Sequence, residues 1–170
     1  MSSSRICQVL HEEHDGTVLF AHRLQAMLGR YPHAHPDRDD AAAAGLLRDL
    51  PRAFGAELGG HFDFEEQRLF PILATDGSAA IGAHLAAEHA NMRPLLERVR
   101  AIGAAALTEG FGDASWAEFR AAAGDLCGQL LDHVQKEEMA LLPLLEESLD
   151  PQNDAGLFAL YAGNCGEMPP

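Results

Sequence analysis

The sequence predicts an all-α fold: an up-down-up-down four-helix bundle built from a duplicated helical hairpin, with a short C-terminal helix. Three observations carry that expectation. Alanine runs recur at Ala41 to Ala44, Ala104 to Ala106 and Ala121 to Ala123, only 6% of the residues are aromatic, and no alternating β-branched runs bounded by tight turns occur. Apolar residues step by three or four along four long segments. The third observation is an internal repeat. His61-x3-Glu65-Glu66-x2-Leu69-Phe70-Pro71-Ile72-Leu73 returns as His133-x3-Glu137-Glu138-x2-Leu141-Leu142-Pro143-Leu144-Leu145, identical at six of thirteen positions, where composition alone would give about one match. Leu10-x2-Glu13-His14 likewise returns as Leu85-x2-Glu88-His89, so the repeated unit is a whole hairpin.

The first helix is expected from Arg5 to Arg30, with Ile6, Leu10, Val18, Ala21, Leu24 and Leu28 on one stripe and His14 inside it. A loop through Tyr31, Pro32, His33, His35 and Pro36 follows, and Asp37 or Asp39 is the expected cap of the second helix. That helix carries Leu46, Leu50, Phe54, Leu58, His61, Glu65, Leu69 and Ile72 on its stripe, with a kink or break expected at Pro51 or Gly59-Gly60. Thr75-Asp76-Gly77-Ser78 reads as a turn with Ser78 as N-cap. The third helix runs to about Ala106 with Ile81, Leu85, His89, Met92, Leu96 and Val99 inward and Pro94 as a kink site. After a loop over residues 108–115, the fourth helix places Phe119, Ala123, Leu126, Leu130, His133, Glu137, Leu141 and Leu144 on one stripe. Asp150-Pro151 closes it, and a fifth helix from Asp154 to Ala162 is expected to lie across the bundle as a lid. Residues 1–150 are thus assigned to the bundle and 151–170 to a C-terminal extension packed on it.

The net charge of −14 and the lack of a Lys/Arg cluster exclude a nucleic-acid partner. The N-terminal residues Met1 to Leu10 lack the apolar run of a signal peptide, and no stretch reaches the ~20 apolar residues of a membrane span, so no membrane partner and a cytoplasmic location are expected. Cys7, Cys127 and Cys165 form no disulfide framework. Oligomeric state is left open by length and acidity.

Nine histidines direct attention to metal chemistry. His14, His61, Glu65, His89, His133 and Glu137 all fall on inward stripes, and four imidazoles with two carboxylates are not buried together without compensation. A metal supplies it. Four histidines and two glutamates in twofold arrangement suit two ions, each with two imidazoles, bridged by Glu65 and Glu137 at the ~3.5–4 Å spacing of paired-metal sites. Imidazole plus carboxylate with an open position points to two iron ions joined by an oxide or hydroxide, with manganese or zinc as alternatives.

The Glu-His of the odd helices combined with the His-x3-Glu-Glu-x2-Leu-x-Pro of the even ones resembles the hemerythrin-like (HHE cation-binding) domain family over Leu10 to Leu149. That resemblance implies a non-haem di-iron centre with His14, His61, Glu65, His89, His133 and Glu137 as ligands. Oxygen-carrying members have His-x3-His on the third helix, but Leu85 stands four before His89, and His84 is rotated by ~140° from it at 100° per residue. Their helix-four acid is spaced to select Glu138, whereas the duplication selects Glu137. Glu66, Glu138, His84, His11 and Glu88 are therefore additional candidates for ligation or for holding a ligand imidazole, with Glu13 sharing the uncertainty of Glu88. His22, His33 and His35 read as surface or loop residues. The functional expectation is a di-iron protein that binds oxygen, nitric oxide or a related diatomic or peroxide ligand for sensing, storage or redox response. Its alternatives are a di-iron enzyme acting on peroxide or nitric oxide, an iron storage or donor protein, and a metal-free scaffold.

Overall fold

Where the apolar stripes are longest, helices form, and a computed structural model describing residues 4–75 and 77–166 contains helices and connecting turns but no strand among them. We number the helical rods α1 (Arg5–Arg30), α2 (residues 41–75), α3 (Ala79–Glu109), α4 (residues 113–148) and α5 (Pro151–Gly166). α1 packs on α2 and α4, and α3 packs on the same two. Each of these four rods thereby has two neighbours to bury its stripe against. No described helix is long and apolar enough to cross a membrane.

α1 begins where Ser4 accepts from the Cys7 N–H with its side chain, an N-cap interaction. Its first turn is held a second time by Asp154 of α5, whose carboxylate accepts the backbone N–H groups of Arg5 and Ile6 at 3.0 Å each and the Ser4 hydroxyl at 2.6 Å. Asp40, rather than Asp37 or Asp39, caps α2, accepting from Ala42 and Ala43 at 2.9 Å. The helix starts at Ala41, and only the residue just before it is placed to reach those amides.

α2 is not broken at Pro51 or at Gly59-Gly60; it continues through a π-helical stretch, Arg52–Glu57, directly after the proline. Two further π-helical turns, Glu65–Leu69 in α2 and Glu137–Leu141 in α4, sit at equivalent places in the repeat. Their cause is written in the sequence. Pro71 and Pro143 have no N–H and crowd the carbonyls four residues before them, so the turn ahead of each widens, and Phe70 and Leu142 donate instead to the carbonyls of Glu65 and Glu137. The wider turn moves the inward stripe by one residue. Leu73 and Leu145 are fully buried, whereas Ile72 and Leu144, the expected core residues, are only half-buried. In α1 the inward place expected for Val18 is shared with Phe20, which is buried while Val18 is half-buried.

α3 runs as one α-helix through Pro94 and ends at Glu109, where Gly110 adopts φ +80°, a conformation favouring glycine. The α3–α4 loop is accordingly shorter than expected: α4 opens at Asp113, and Ser115 faces inward to the turn, its hydroxyl accepting from the Gly112 N–H at 2.9 Å. Ser78 occupies the cap position of α3 but caps with no side-chain hydrogen bond. Asp76 of that turn, and the side chain of Cys165, lie outside the described residues. Cys7 and Cys127 are buried free thiols that burial pushes up to about 11 and about 12, so they stay protonated and inert at neutral pH.

α5 starts earlier than expected, at Pro151, because proline is tolerated in a first turn and Asp150 caps it through the amides of Gln152 and Asn153. It lies against α1. The interior divides into two apolar clusters, one including Phe20, Leu24, Leu50, Phe62, Met92 and Leu130, the other including Ile6, Leu10, Phe64, Leu69, Leu85 and Leu141. Along every long rod the passage from one cluster to the other is made at a histidine: His14, His61, His89 and His133. A polar layer is thus sealed between two greasy ones.

Asp154 is predicted to tie α5 to the start of α1 as an added cap. Asp154→Asn should lower stability by about 1 kcal/mol, a fall in Tm of about 2–4 °C for a chain of this size. Its hydrogen bonds, opposed by burial, hold the Asp154 carboxyl below the usual range, so the stabilisation is present above the unfolded value of about 3.9 and is lost as pH falls through the folded one. Thermal melts of the two proteins should therefore differ at pH 7 and converge in strong acid.

Candidate metal centre

The six inward residues converge on one point. His14, His61, His89 and His133 and the carboxylates of Glu65 and Glu137 are each no more than 4% exposed. They form two overlapping quartets, His14, His61, Glu65 and Glu137, then Glu65, His89, His133 and Glu137, in each of which one ligand atom per residue lies within 4.8 Å of every other. Each hairpin supplies one histidine pair. The Nε2 atoms of His14 and His61 are 3.3 Å apart, those of His89 and His133 2.8 Å.

Both carboxylates straddle the two pairs. Glu65 Oε1 is 3.2 Å from His61 Nε2 while its Oε2 is 3.4 Å from His89 Nε2. Glu137 repeats the arrangement, with Oε2 3.1 Å from His14 Nε2 and Oε1 2.9 Å from His133 Nε2. The His-x3-Glu spacing on a helix creates this, because residues four apart stand on one face.

Behind each imidazole stands a second carboxylate. His14 Nδ1 donates to Glu138 at 2.6 Å, His61 Nδ1 to Glu13 at 2.8 Å, His89 Nδ1 to Glu66 at 2.9 Å and His133 Nδ1 to Glu88 at 2.8 Å. With Nδ1 donating, a neutral imidazole presents the lone pair of Nε2 to the centre. With all four imidazoles neutral, the centre would hold lone pairs facing lone pairs. Among the described residues, none gives the four oxygens of buried Glu65 and Glu137 a hydrogen bond, an arrangement that a cation between the nitrogens and oxygens would satisfy.

Electrostatics point the same way. Burial, and next the charge of Glu137, push the Glu65 carboxyl up. Burial also opposes ionisation of Glu137, but the imidazoles of His133, His14 and His89 close around it outweigh that and hold the carboxyl well below the usual range. Burial likewise depresses His61, yet Glu65 and the hydrogen bond to Glu13 raise it well above an ordinary imidazole. The site attracts positive charge, whether proton or metal. Phe62 lies flat on His89, ring centres 3.8 Å apart, and fixes its plane from the apolar side.

Of the additional candidates, Glu66, Glu88 and Glu138 hold ligand-side imidazoles rather than reaching the centre themselves, and Glu13 does the same. His11 is exposed and donates to Glu138 at 3.0 Å; His84 is exposed and lies 3.2 Å from Glu88. Neither enters the quartets. His22 and His33 are exposed, and His35 hydrogen-bonds the Pro36 carbonyl. Three outer residues that the motifs do not single out complete the surroundings: Tyr161 of α5, which donates to Glu13, Arg93 on Glu66 and Lys136 on Glu88. Arg93 and Lys136 follow His89 and His133 by one helical turn, a spacing visible in the sequence, whereas Tyr161 has no counterpart in the repeat.

Residues 5–145 match the hemerythrin HHE cation-binding domain. The chain belongs to that family. No curated protein matches it. Membership implies cation binding, with iron foremost, and among the described residues of this hemerythrin-family protein the two quartets are the buried groups that could hold a metal.

The carboxylates behind the imidazoles give the hemerythrin-family site a test of its second layer. Glu13→Gln or Glu88→Gln keeps shape but removes the charge that the imidazole N–H donates to, and metal affinity should fall by about 10–100-fold. Competition against a chromophoric chelator measures it, with helical content by circular dichroism unchanged.

Proposed function

We propose that this protein is a non-haem di-iron protein that binds oxygen, nitric oxide or a related small ligand, in an up-down-up-down four-helix bundle. His14 and His61 would hold one iron and His89 and His133 the other, with Glu65 and Glu137 shared between them. The observation that carries the reading is the pair of buried carboxylates, each with one oxygen toward each histidine pair and no hydrogen-bond partner for either oxygen. When bound, an iron pair supplies redox change and open coordination positions for a small ligand.

The chain's own residues do the rest. Glu13, Glu66, Glu88 and Glu138 hold the four imidazoles by Nδ1, fix which nitrogen faces inward, and raise its basicity. Phe62 and the two apolar clusters exclude water around the layer, which suits a small uncharged ligand and resists a large polar one. All four outer carboxylates are occupied as hydrogen-bond acceptors, and among the described residues no spare acid and base stand beside the centre. Binding is therefore favoured over turnover.

Protein expressed with iron should carry two irons per chain, and the anaerobically reduced protein should change its visible spectrum on exposure to oxygen or nitric oxide. His61→Ala should lose at least one iron and the response. Two irons with no spectral response to either gas would contradict the ligand-binding reading, and sustained consumption of peroxide or nitric oxide would favour an enzyme instead.

A further inference from the structure

The duplication covers the six inward residues and the four carboxylates behind them, and it lapses one layer further out. In the second half, Glu66 on His89 is bound by Arg93 Nη2 at 3.0 Å, with Asp63 also on that guanidinium at 2.8 Å, and Glu88 on His133 is bound by Lys136. In the first half, Glu138 on His14 meets His11, itself 4.0 Å from Asp15, and Glu13 on His61 accepts from the neutral Tyr161 hydroxyl. The repeat aligns His14 with His89 and His61 with His133, so the residues equivalent to Arg93 and Lys136 are Val18 and Phe64. Arginine and lysine thus stand behind one histidine pair, whereas behind the other stand an exposed histidine and a tyrosine hydroxyl, with Val18 and Phe64 at the positions equivalent to the two cations.

From this placement, and resting on the metal-pair reading above, we propose that the two halves of the centre are unequal: the His14–His61 quartet takes its cation first and more tightly, and Arg93 and Lys136 weaken the His89–His133 quartet. Two effects act in the same direction. A cation bound to Glu66 or Glu88 shares the carboxylate's lone pairs, leaving it a poorer acceptor for the imidazole N–H and the imidazole a poorer donor to metal. The same cations repel a second positive ion directly. Arg93 and Lys136 are 37% and 45% exposed, so water damps the repulsion, and the expected separation is about tenfold in affinity rather than many orders.

Calorimetric titration of the metal-free full chain with cobalt(II) tests this without any activity assay. Wild type should bind two cobalt ions in two steps. His133→Ala should keep the tight step and His61→Ala should lose it. Replacing both cations, Arg93→Gln with Lys136→Gln, should strengthen the weaker step by about tenfold and leave the tighter one in place. The reciprocal variant Val18→Arg, at a half-buried position, should weaken the tight step. Retention of the tight step in His61→Ala but not in His133→Ala overturns the order proposed, as does a double variant that shifts neither step or both equally. Fewer than two cobalt ions per chain would instead overturn the metal-pair reading, and this inference with it.

Discussion

Two carboxylates that cannot be ionised in an apolar interior without a counter-charge are the constraint around which this molecule is organised. Glu65 and Glu137 are buried, face one another across the centre, and find no hydrogen-bond donor. Burying an uncompensated carboxylate costs several kcal/mol, against a total stability of about 5–15 kcal/mol. Everything nearby acts to make positive charge welcome at that point. Four imidazoles turn Nε2 inward because four further glutamates hold Nδ1, so the layer is built to receive cations rather than merely to tolerate acids. The long rods and their apolar clusters hold this layer dry and in register.

The helical irregularities belong to the same arrangement. Glu65 and Glu137 each open a π-helical turn forced by the proline six residues on, and such turns recur at functional sites because they re-aim side chains without ending a helix. α5 adds a different kind of support. Asp154 closes the first turn of α1, and Tyr161 packs on Phe64 and donates to Glu13, so the C-terminal helix is tied both to the fold and to the second layer of the site.

Much of this is legible in the residues. His14, His61, Glu65, His89, His133 and Glu137 stand out because a repeat places the same polar residues on otherwise apolar stripes, and their assembly in one buried layer follows from helical periodicity. The place of Glu138 beside His14 was less legible, since adjacent glutamates differ by only about 100° on a helix and only packing decides which one turns inward. The one-residue advance from Ile72 to Leu73 and from Leu144 to Leu145 escaped a 3.6-residue periodicity because the widened turn changes the period locally. Asp40 does not stand out as the cap among three nearby aspartates, since the helix start must be known to one residue to choose between them. Contacts from α5 were illegible, being set by a helix outside the repeat.

The departure from strict symmetry is informative about function. A metal pair in identical surroundings would have no preferred member, whereas the arginine and lysine beside His89 and His133 alone would, on the proposal above, give the halves different affinities. The measurement closest to the central claim is anomalous diffraction at the iron absorption edge from crystals of iron-grown protein. Two peaks are expected in the buried layer, one between His14 and His61 and one between His89 and His133, with Glu65 and Glu137 reaching both. A single peak, or peaks only at surface histidines such as His11 or His84, would contradict the account.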